Sequence, residues 1–188
     1  MKLTDVKFYK SILNSEEVYF DDKKEVVFVG RSNMKSSLMN TIFQKKDLVK
    51  TSSKPGKTRL ANLFLVENKY YFTDLPGYGF AKLGKDLREE LDLISWYLEE
   101  RRNSIKKVVI LVDSKLAQES DLEMYRYILD LELPVLIVLS KSDKLSKTEL
   151  FKSLTHAKEQ FFGQEIIPVS SKSKLGIFEL EKILKNSF

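Results

Sequence analysis

In the stretch VGRSNMKSSLMN, residues 29–40, Lys35 and Ser36 come five and six positions after Gly30. An ammonium and a hydroxyl at that distance behind a glycine can serve a phosphate. Backbone N–H groups cradle it, the lysine reaches its oxygens and the hydroxyl holds Mg2+, in the pattern G-x-x-x-x-G-K-[ST]. Here Gly30 is followed by Arg31, Ser32, Asn33 and Met34, and then directly by Lys35, Ser36 and Ser37. The second glycine is missing and the stretch is one residue short.

Four further stretches carry related chemistry. DLPGYG (74–79) sets Asp74 three residues before Gly77, across Leu75 and Pro76. Such an aspartate can hold Mg2+ through water, while the glycine N–H meets a terminal phosphate. In SKSD (140–143) the Asp143 carboxylate can accept two hydrogen bonds from a guanine edge. Lys141, between Ser140 and Ser142, can lay its aliphatic stem along the base. VSSKS (169–173) is a polar turn whose Val169, Ser170 and Ser171 suit a purine carbonyl. The last stretch, KKDLVKTSSKPGKTR (45–59), offers Thr58 as a second Mg2+ ligand. It sets Lys45, Lys46, Lys50, Lys54, Lys57 and Arg59 against Asp47 alone, an excess of five that equals the net charge of the whole chain. A basic loop of this composition reads as a surface for phosphates or nucleic acid.

These loops need elements to hold them. EVVFVG (25–30) is an apolar, β-branched run that ends at the first glycine, and the helical stretch SSLMNTIF follows. ANLFLVE (61–67) and KYYFTD (69–74) flank Asn68, which predicts a tight hairpin. KKVVILVD (106–113) and PVLIVLS (134–140) are continuous apolar runs, the signature of strands buried on both faces. QEIIPVS (164–170) is a sixth strand. Leu87, Leu91, Ile94 and Leu98 repeat at helical spacing, as do Leu150, Leu154, Ala157 and Phe161; Ile177, Leu180 and Leu184 stripe a last helix. This alternation predicts one α/β domain over 1–188. Its six-stranded, mostly parallel sheet has one antiparallel edge strand, helices on both faces, and ligands at the carboxyl ends of its strands.

Composition narrows the function classes. With 43% hydrophobic and 31% charged residues the chain reads as an ordinary soluble protein. No apolar run approaches the roughly 20 residues of a membrane span, and the first twenty residues lack the apolar core of a signal peptide. There is no cysteine, so neither disulfides nor thiolate metal sites arise. The expectation is a cytoplasmic protein, without membrane contact.

Five motifs in this order, each after a strand, resemble the G1–G5 motifs of Ras-like P-loop GTPases. GRSN-KSSLMN, KPGKTR, TDLPGYGFAK, SKSDK and SSKSKLG look like the EngB (YsxC) family of bacterial ribosome-assembly GTPases, in the TrmE–Era class, over nearly the whole chain. The resemblance implies a Ras-like fold, binding of GTP and GDP, and GTP hydrolysis with Mg2+. It further implies action on the large ribosomal subunit (rRNA and ribosomal proteins) and a link to normal cell division and septation; a monomer is the default expectation. It maps the phosphate loop to Gly30–Ser36, with Lys35 on the phosphates and Ser36 on Mg2+. Thr58, within Gly56, Lys57, Thr58, Arg59 and Leu60, becomes the second Mg2+ ligand. Asp74–Gly77 sense the γ-phosphate, and Ser140–Asp143 with Val169–Ser171 hold the base. The chemical step would rest on Lys35, Thr58 and Gly77. Asn33 matches the asparagine that binds K+ in this class, where a monovalent cation can stand in for an arginine finger; a turn-forming role on the loop backbone is the alternative.

Three departures qualify the resemblance. Tyr78 stands where many GTPases carry a water-orienting glutamine, and a phenol lacks the amide's donor–acceptor pair, so intrinsic hydrolysis should be slow. The motif aligns with Lys35 and Ser36 in their roles only if one residue is deleted between Asn33 and Lys35. Met34 then brings a Cβ where a glycine permits close approach. A deletion, a rearranged but working loop and a sequence error all account for this. Arg59-Leu60 after PGKT, and Ser140 for the usual threonine, are minor. A competing reading is a non-catalytic module that binds ribosome or RNA and holds nucleotide weakly. His156 reads as an exposed helix residue, Trp96 as packing or surface-lining, and LEERRN as a solvated helix end.

Overall fold

The computed structural model describes residues 1–13, 21–49, 60–78 and 85–188, without the side chains of Ser32, Asn33 and residues 85–90. Seven strands form one sheet: β1 (Val6–Ile12), β2 (Glu25–Gly30), β3 (Ala61–Val66), β4 (Tyr70–Asp74), β5 (Ile105–Asp113), β6 (Val135–Ser140) and β7 (Glu165–Pro168). Their order across the sheet is β1-β3-β4-β2-β5-β6-β7. From β4 to β7 the pairing is parallel, and β3 runs antiparallel to both of its neighbours. The five parallel strands therefore point their carboxyl ends the same way.

Two expectations are corrected here. The sheet has seven strands rather than six, and the antiparallel strand β3 is interior because β1 covers its outer side. β1 reads VKFYKSI, with only its last residue fully buried. Phe8 packs against Phe64 at 5.9 Å between ring centroids, and the register slips between Phe8 and Lys10. A bulge and lysines on an outermost strand discourage pairing with another chain, and they also dilute the alternation that would announce the strand.

The central strands behave as their composition requires. Every residue of β2 and β6 is buried. Helices α1 (Ser32–Phe43) and α5 (Ile177–Lys185) cover one face, where Leu38, Met39, Ile42, Leu180 and Leu184 meet Val26, Phe28 and Val109. Helices α2 (Lys85–Glu100), α3 (Glu119–Asp130) and α4 (Lys147–Gln160) cover the other, with Ile94, Leu98, Ile128 and Phe161 against Val27, Ile110 and Ile137. α3 had no counterpart in the sequence reading, and Leu91, expected on a buried stripe, is 39% exposed. The hairpin between β3 and β4 turns through Glu67 and Asn68, both at positive φ (50° and 54°), with Lys69 N–H donating to the Val66 carbonyl at 3.0 Å. Two central residues at positive φ make the tight turn whose twist matches antiparallel strands.

At the amino end of the sheet lies a buried polar network. Arg101, just past α2, is 4% exposed and donates to Glu25 Oε1 at 2.6 Å and to the carbonyls of Asp21 and Lys23. Thr73 and Tyr97 hydroxyls donate to Glu25 Oε2, each at 2.8 Å. LEERRN is therefore not a wholly solvated helix end: Arg102 is exposed and pairs with Glu132, but Arg101 is a core cation.

Candidate functional site

Five loops leave the carboxyl ends of β2, β4, β5, β6 and β7. β2 ends on Gly30 at φ 141°, where a Cβ would lie 2.7 Å from the Leu111 carbonyl oxygen. Only glycine lets β2 close against β5 in that conformation. Arg31 is extended, and α1 begins at Ser32, so one residue joins strand to helix. The helix starts four residues before the stretch SSLMNTIF. With the glycine gone, residues 32–35 are helix-competent and the expected loop becomes a first helical turn.

That turn positions the expected phosphate residues. Met34 N–H donates to the Arg31 carbonyl at 3.2 Å, so this donor is used within the junction. Lys35 is 1% exposed; its ammonium donates to the Gly30 carbonyl at 2.8 Å and lies 3.7 Å from Asp74 Oδ1. Ser36 is buried beside it, and no acidic residue stands in the first turn of α1. A helix start without carboxylates favours an anion through its free N–H groups and dipole.

Asp74, at the end of β4, is 4% exposed, and its Oδ1 has no hydrogen-bond partner. Burial raises its carboxyl above the usual range, and Lys35 opposes that shift. Leu75 and Pro76 are buried behind it, Leu75 N–H donating to the Phe28 carbonyl at 3.1 Å, and Gly77 is half-buried. The next side chain turns inward: Tyr78 is 2% exposed and joins the core with Ile94 and Met124. Burial and the neighbouring Asp121 carboxylate push its phenol well up. Asp121, in the first turn of α3, lies 3.7 Å from the Arg31 guanidinium. Arg31, Tyr78 and Asp121 thus tie the strand–helix junction to α3, a link with no local signal in the sequence.

The other end of the site lies over β5, β6 and β7. Lys141 takes a left-handed conformation (φ 59°), and its ammonium donates to Asp113 Oδ2 at 2.9 Å. Asp113 was not singled out from sequence, although an acidic residue ending an apolar strand is the signal that marked Asp74. Ser142 N–H donates to the Val169 carbonyl at 3.0 Å, joining the two loops. Ser170 Oγ accepts from the backbone N–H groups of Lys172 and Ser173, and beside it the Asp143 carboxyl is held below its ordinary range. Ser140 Oγ donates to the Val112 carbonyl and meets the Met34 sulfur at 2.7 Å. Between these groups is a cavity of about 210 Å3, walled by Ser140, Lys141 and Asp143, by Val169 and Ser171, and by Met34, Ser37 and Leu38 of α1. The structure therefore gathers the residues of three separate motifs around one space.

Gly56, Lys57, Thr58 and Arg59, with Lys50 and Lys54, lie outside the described residues, as do the side chains of Ser32 and Asn33; Leu60 is half-buried before β3. Lys45 and Lys46 are exposed. Asn40, unremarked in the sequence, fixes the chain beyond them, its side chain donating to the Val49 carbonyl at 2.8 Å and accepting from Val49 N–H at 2.9 Å. Among the described residues no group of three or more His, Cys, Asp or Glu side chains could hold a metal ion, and no helix is long and apolar enough to cross a membrane. His156 and Trp96 take the expected exposed and partly buried places.

A parallel-centred sheet with these loops at its strand ends defines the α/β P-loop GTPase fold. The sequence model of the 50S ribosome-binding GTPase family matches residues 25–141, and the chain belongs to the EngB family of GTP-binding proteins. A probable GTP-binding protein EngB from Kosmotoga olearia is 49% identical over 168 residues, 86% of this chain and 87% of that protein. Another from Petrotoga mobilis is 41% identical over 189 residues, 98% of this chain and 96% of that one. A crystal structure of a probable GTP-binding protein EngB, 26% identical, superposes with a TM-score of 0.75 over 87% of this chain and 97% of its own.

Proposed function

We propose that this chain binds GTP and GDP at the carboxyl ends of its parallel strands, hydrolyses GTP slowly, and acts on the large ribosomal subunit. The observation that carries the reading is the cavity walled by Asp143, Ser140 and Met34, since the same first turn of α1 that brings Met34 to it also carries Lys35 and Ser36, with Lys35 3.7 Å from Asp74. Asp143 accepts from the guanine edge, Lys141 flanks the base, and Ser171 faces the purine carbonyl. Lys35 exchanges its contact with the Gly30 carbonyl for phosphate oxygens, and Gly77 meets the terminal phosphate.

Mg2+ fits the residues present. Asp74 Oδ1 is buried and makes no hydrogen bond, with only the Lys35 ammonium 3.7 Å away, and Ser36 adds a buried hydroxyl next to Lys35 in the chain. A carboxylate and a hydroxyl are oxygen donors of the kind a hard cation takes, directly or through water. Ser36 and Asp74, the latter through water, would hold the ion, with Thr58 as the further ligand from the stretch that follows α1. When bound, the ion supplies charge neutralisation at the phosphates. K+ beside Asn33 belongs to the same reading. So do a cytoplasmic monomer acting in cell division and septation, and contact with rRNA and ribosomal proteins, for which Lys45 and Lys46 are exposed cations just beyond α1.

A second reading rests on the one-residue junction between β2 and α1. With Met34 N–H committed to the Arg31 carbonyl, the phosphate cradle has fewer free donors, which favours a GTPase-fold module that holds nucleotide weakly. Titration with GDP and ATP, with and without Mg2+, tests both. Guanine-selective binding that Mg2+ strengthens supports the site, and equal binding of ATP and GDP, or none, removes it.

A further inference from the structure

Away from those loops, α2 and α3 leave a groove of about 370 Å3 between them. Its floor is apolar, made by Ile94, Met124 and the ring of Tyr78, and Leu91 and Tyr127 stand at its sides. Methionine and tyrosine adapt to apolar guests without fixing their shape. Each helix contributes an exposed carboxylate to the rim, Asp92 from α2 and Glu123 from α3.

The rim belongs to a wider negative face. Glu99, Glu100, Glu119 and Asp130 are exposed on the same two helices. Arg126 is the only basic residue among their described side chains, and Glu119 neutralises it at 3.0 Å. In a chain of net charge +5 this face is the exception. It repels nucleic acid, and an apolar slot between carboxylates complements a segment that alternates apolar and cationic side chains.

We propose that the α2–α3 groove docks a Lys/Arg-rich amphipathic segment of a partner protein. Its apolar side chains enter between Tyr78 and Met124, and its cations meet Asp92 and Glu123. The surface goes beyond the nucleotide reading and does not depend on it, although Tyr78, directly after Gly77, belongs to both neighbourhoods.

The test uses the full chain without nucleotide and a fluorescein-labelled amphipathic peptide of Leu, Lys and Arg, with a Leu–Glu counterpart and a single-stranded RNA oligonucleotide as controls. Anisotropy should report binding of the basic peptide that weakens with salt, and none of the acidic one. Labelled RNA, titrated separately from the peptide, should bind the Ser120→Trp variant as it binds wild type. Asp92→Lys combined with Glu123→Lys should weaken the basic peptide at least roughly tenfold. Ser120→Trp or Ser95→Trp, which fill the groove without changing charge, should do the same, with melting temperature and circular dichroism verifying the fold of each variant. Equal binding of both peptides, or unchanged affinity in the charge-reversed variant, would overturn the proposal. So would filled grooves that still bind as wild type, which would reduce the effect to surface attraction. GDP titration is read separately, so failure of the nucleotide site and failure of this surface are distinguishable.

Discussion

Asp143 and Ser170 come from loops after different strands, yet they face each other across the ends of β6 and β7, and the Asp143 carboxyl is held below its ordinary range by the Ser170 hydroxyl. A carboxylate that stays ionised into acid is the form that accepts from a guanine edge. Asp143→Asn should therefore weaken GDP by about two orders of magnitude and favour xanthosine diphosphate. The sign of the pH effect follows from the lowered value: GDP affinity should hold constant from neutral into mildly acidic buffer and fall only as Asp143 protonates. Ser170→Ala should move that fall toward neutral pH. Isothermal titration at stepped pH measures both, and an Asp143→Asn variant with wild-type GDP affinity removes the assigned base site.

Arg101 and Glu25 form a pair with almost no exposure of either side chain, 4% and 0%. Removing one partner strands the other charge inside the protein. Arg101→Met should cost about 3–5 kcal/mol, lowering the thermal midpoint substantially. Glu25→Gln in the same chain should recover much of the loss. Burial raises the Glu25 carboxyl, with Arg101 opposing, so the folded state already binds this proton more tightly than the unfolded chain does. The stability this group contributes is greatest below its unfolded value and declines as pH rises through the folded one. Without Arg101 the folded value climbs further, and the deficit of Arg101→Met should shrink on acidification. Melting curves across pH decide it; a deficit independent of pH would place the damage in packing alone.

What was legible in the sequence follows the same physics. β2, β5 and β6 are buried on both faces, so their continuous apolar runs could be read directly, and the motifs at their ends followed in order. β1 was hidden because an outermost strand keeps Phe8 and Tyr9 about half exposed between lysines. α3 was hidden because its buried stripe includes Asp121 and Tyr125 within ESDLEMYRYILD, diluting the apolar period. Arg101 looked solvated beside three other charged residues, and its partner lies 76 positions away, where no local pattern reaches. The early start of α1 is the local consequence of a missing glycine, visible as an absence in the motif but not as a shape.

The exposed pair Lys45 and Lys46 stands just beyond α1, on a chain anchored by the two Asn40 bonds to Val49. If the basic stretch contacts rRNA, Lys45→Glu, Lys46→Glu and Lys50→Glu together should weaken large-subunit binding and flatten its salt dependence, since every phosphate no longer neutralised keeps its counterions. Asn40→Ala, which leaves every charge in place, should weaken binding less and leave the salt slope unchanged. Sedimentation with purified large subunits at graded salt separates the two effects. A triple variant that pellets like wild type at physiological salt excludes this stretch from the interface.

Lys35 reaches back across the one-residue junction to the Gly30 carbonyl at 2.8 Å, and Met34 N–H is spent on Arg31. Both bonds occupy groups that a phosphate would otherwise use. Each charge-assisted contact is worth about 1.5–3 kcal/mol, so a cradle short of one or two of them binds nucleotide roughly ten to a thousandfold more weakly. Inserting one glycine between Met34 and Lys35 restores the expected motif length and a residue tolerant of the dihedrals that a phosphate-wrapping loop requires. The insertion should raise GDP and GTP affinity by at least about tenfold and bring out Mg2+-dependent hydrolysis. Lys35→Ala in the inserted chain should cancel the gain, since the ammonium supplies the charge that the restored backbone only shapes. Guanine preference should be the same with and without the insertion, because Asp143 and Ser170 come from the loops after β6 and β7. If the inserted chain binds no better than the natural one, the single-residue junction is itself a sufficient cradle, and Lys35 must leave the Gly30 carbonyl at little cost when phosphate arrives.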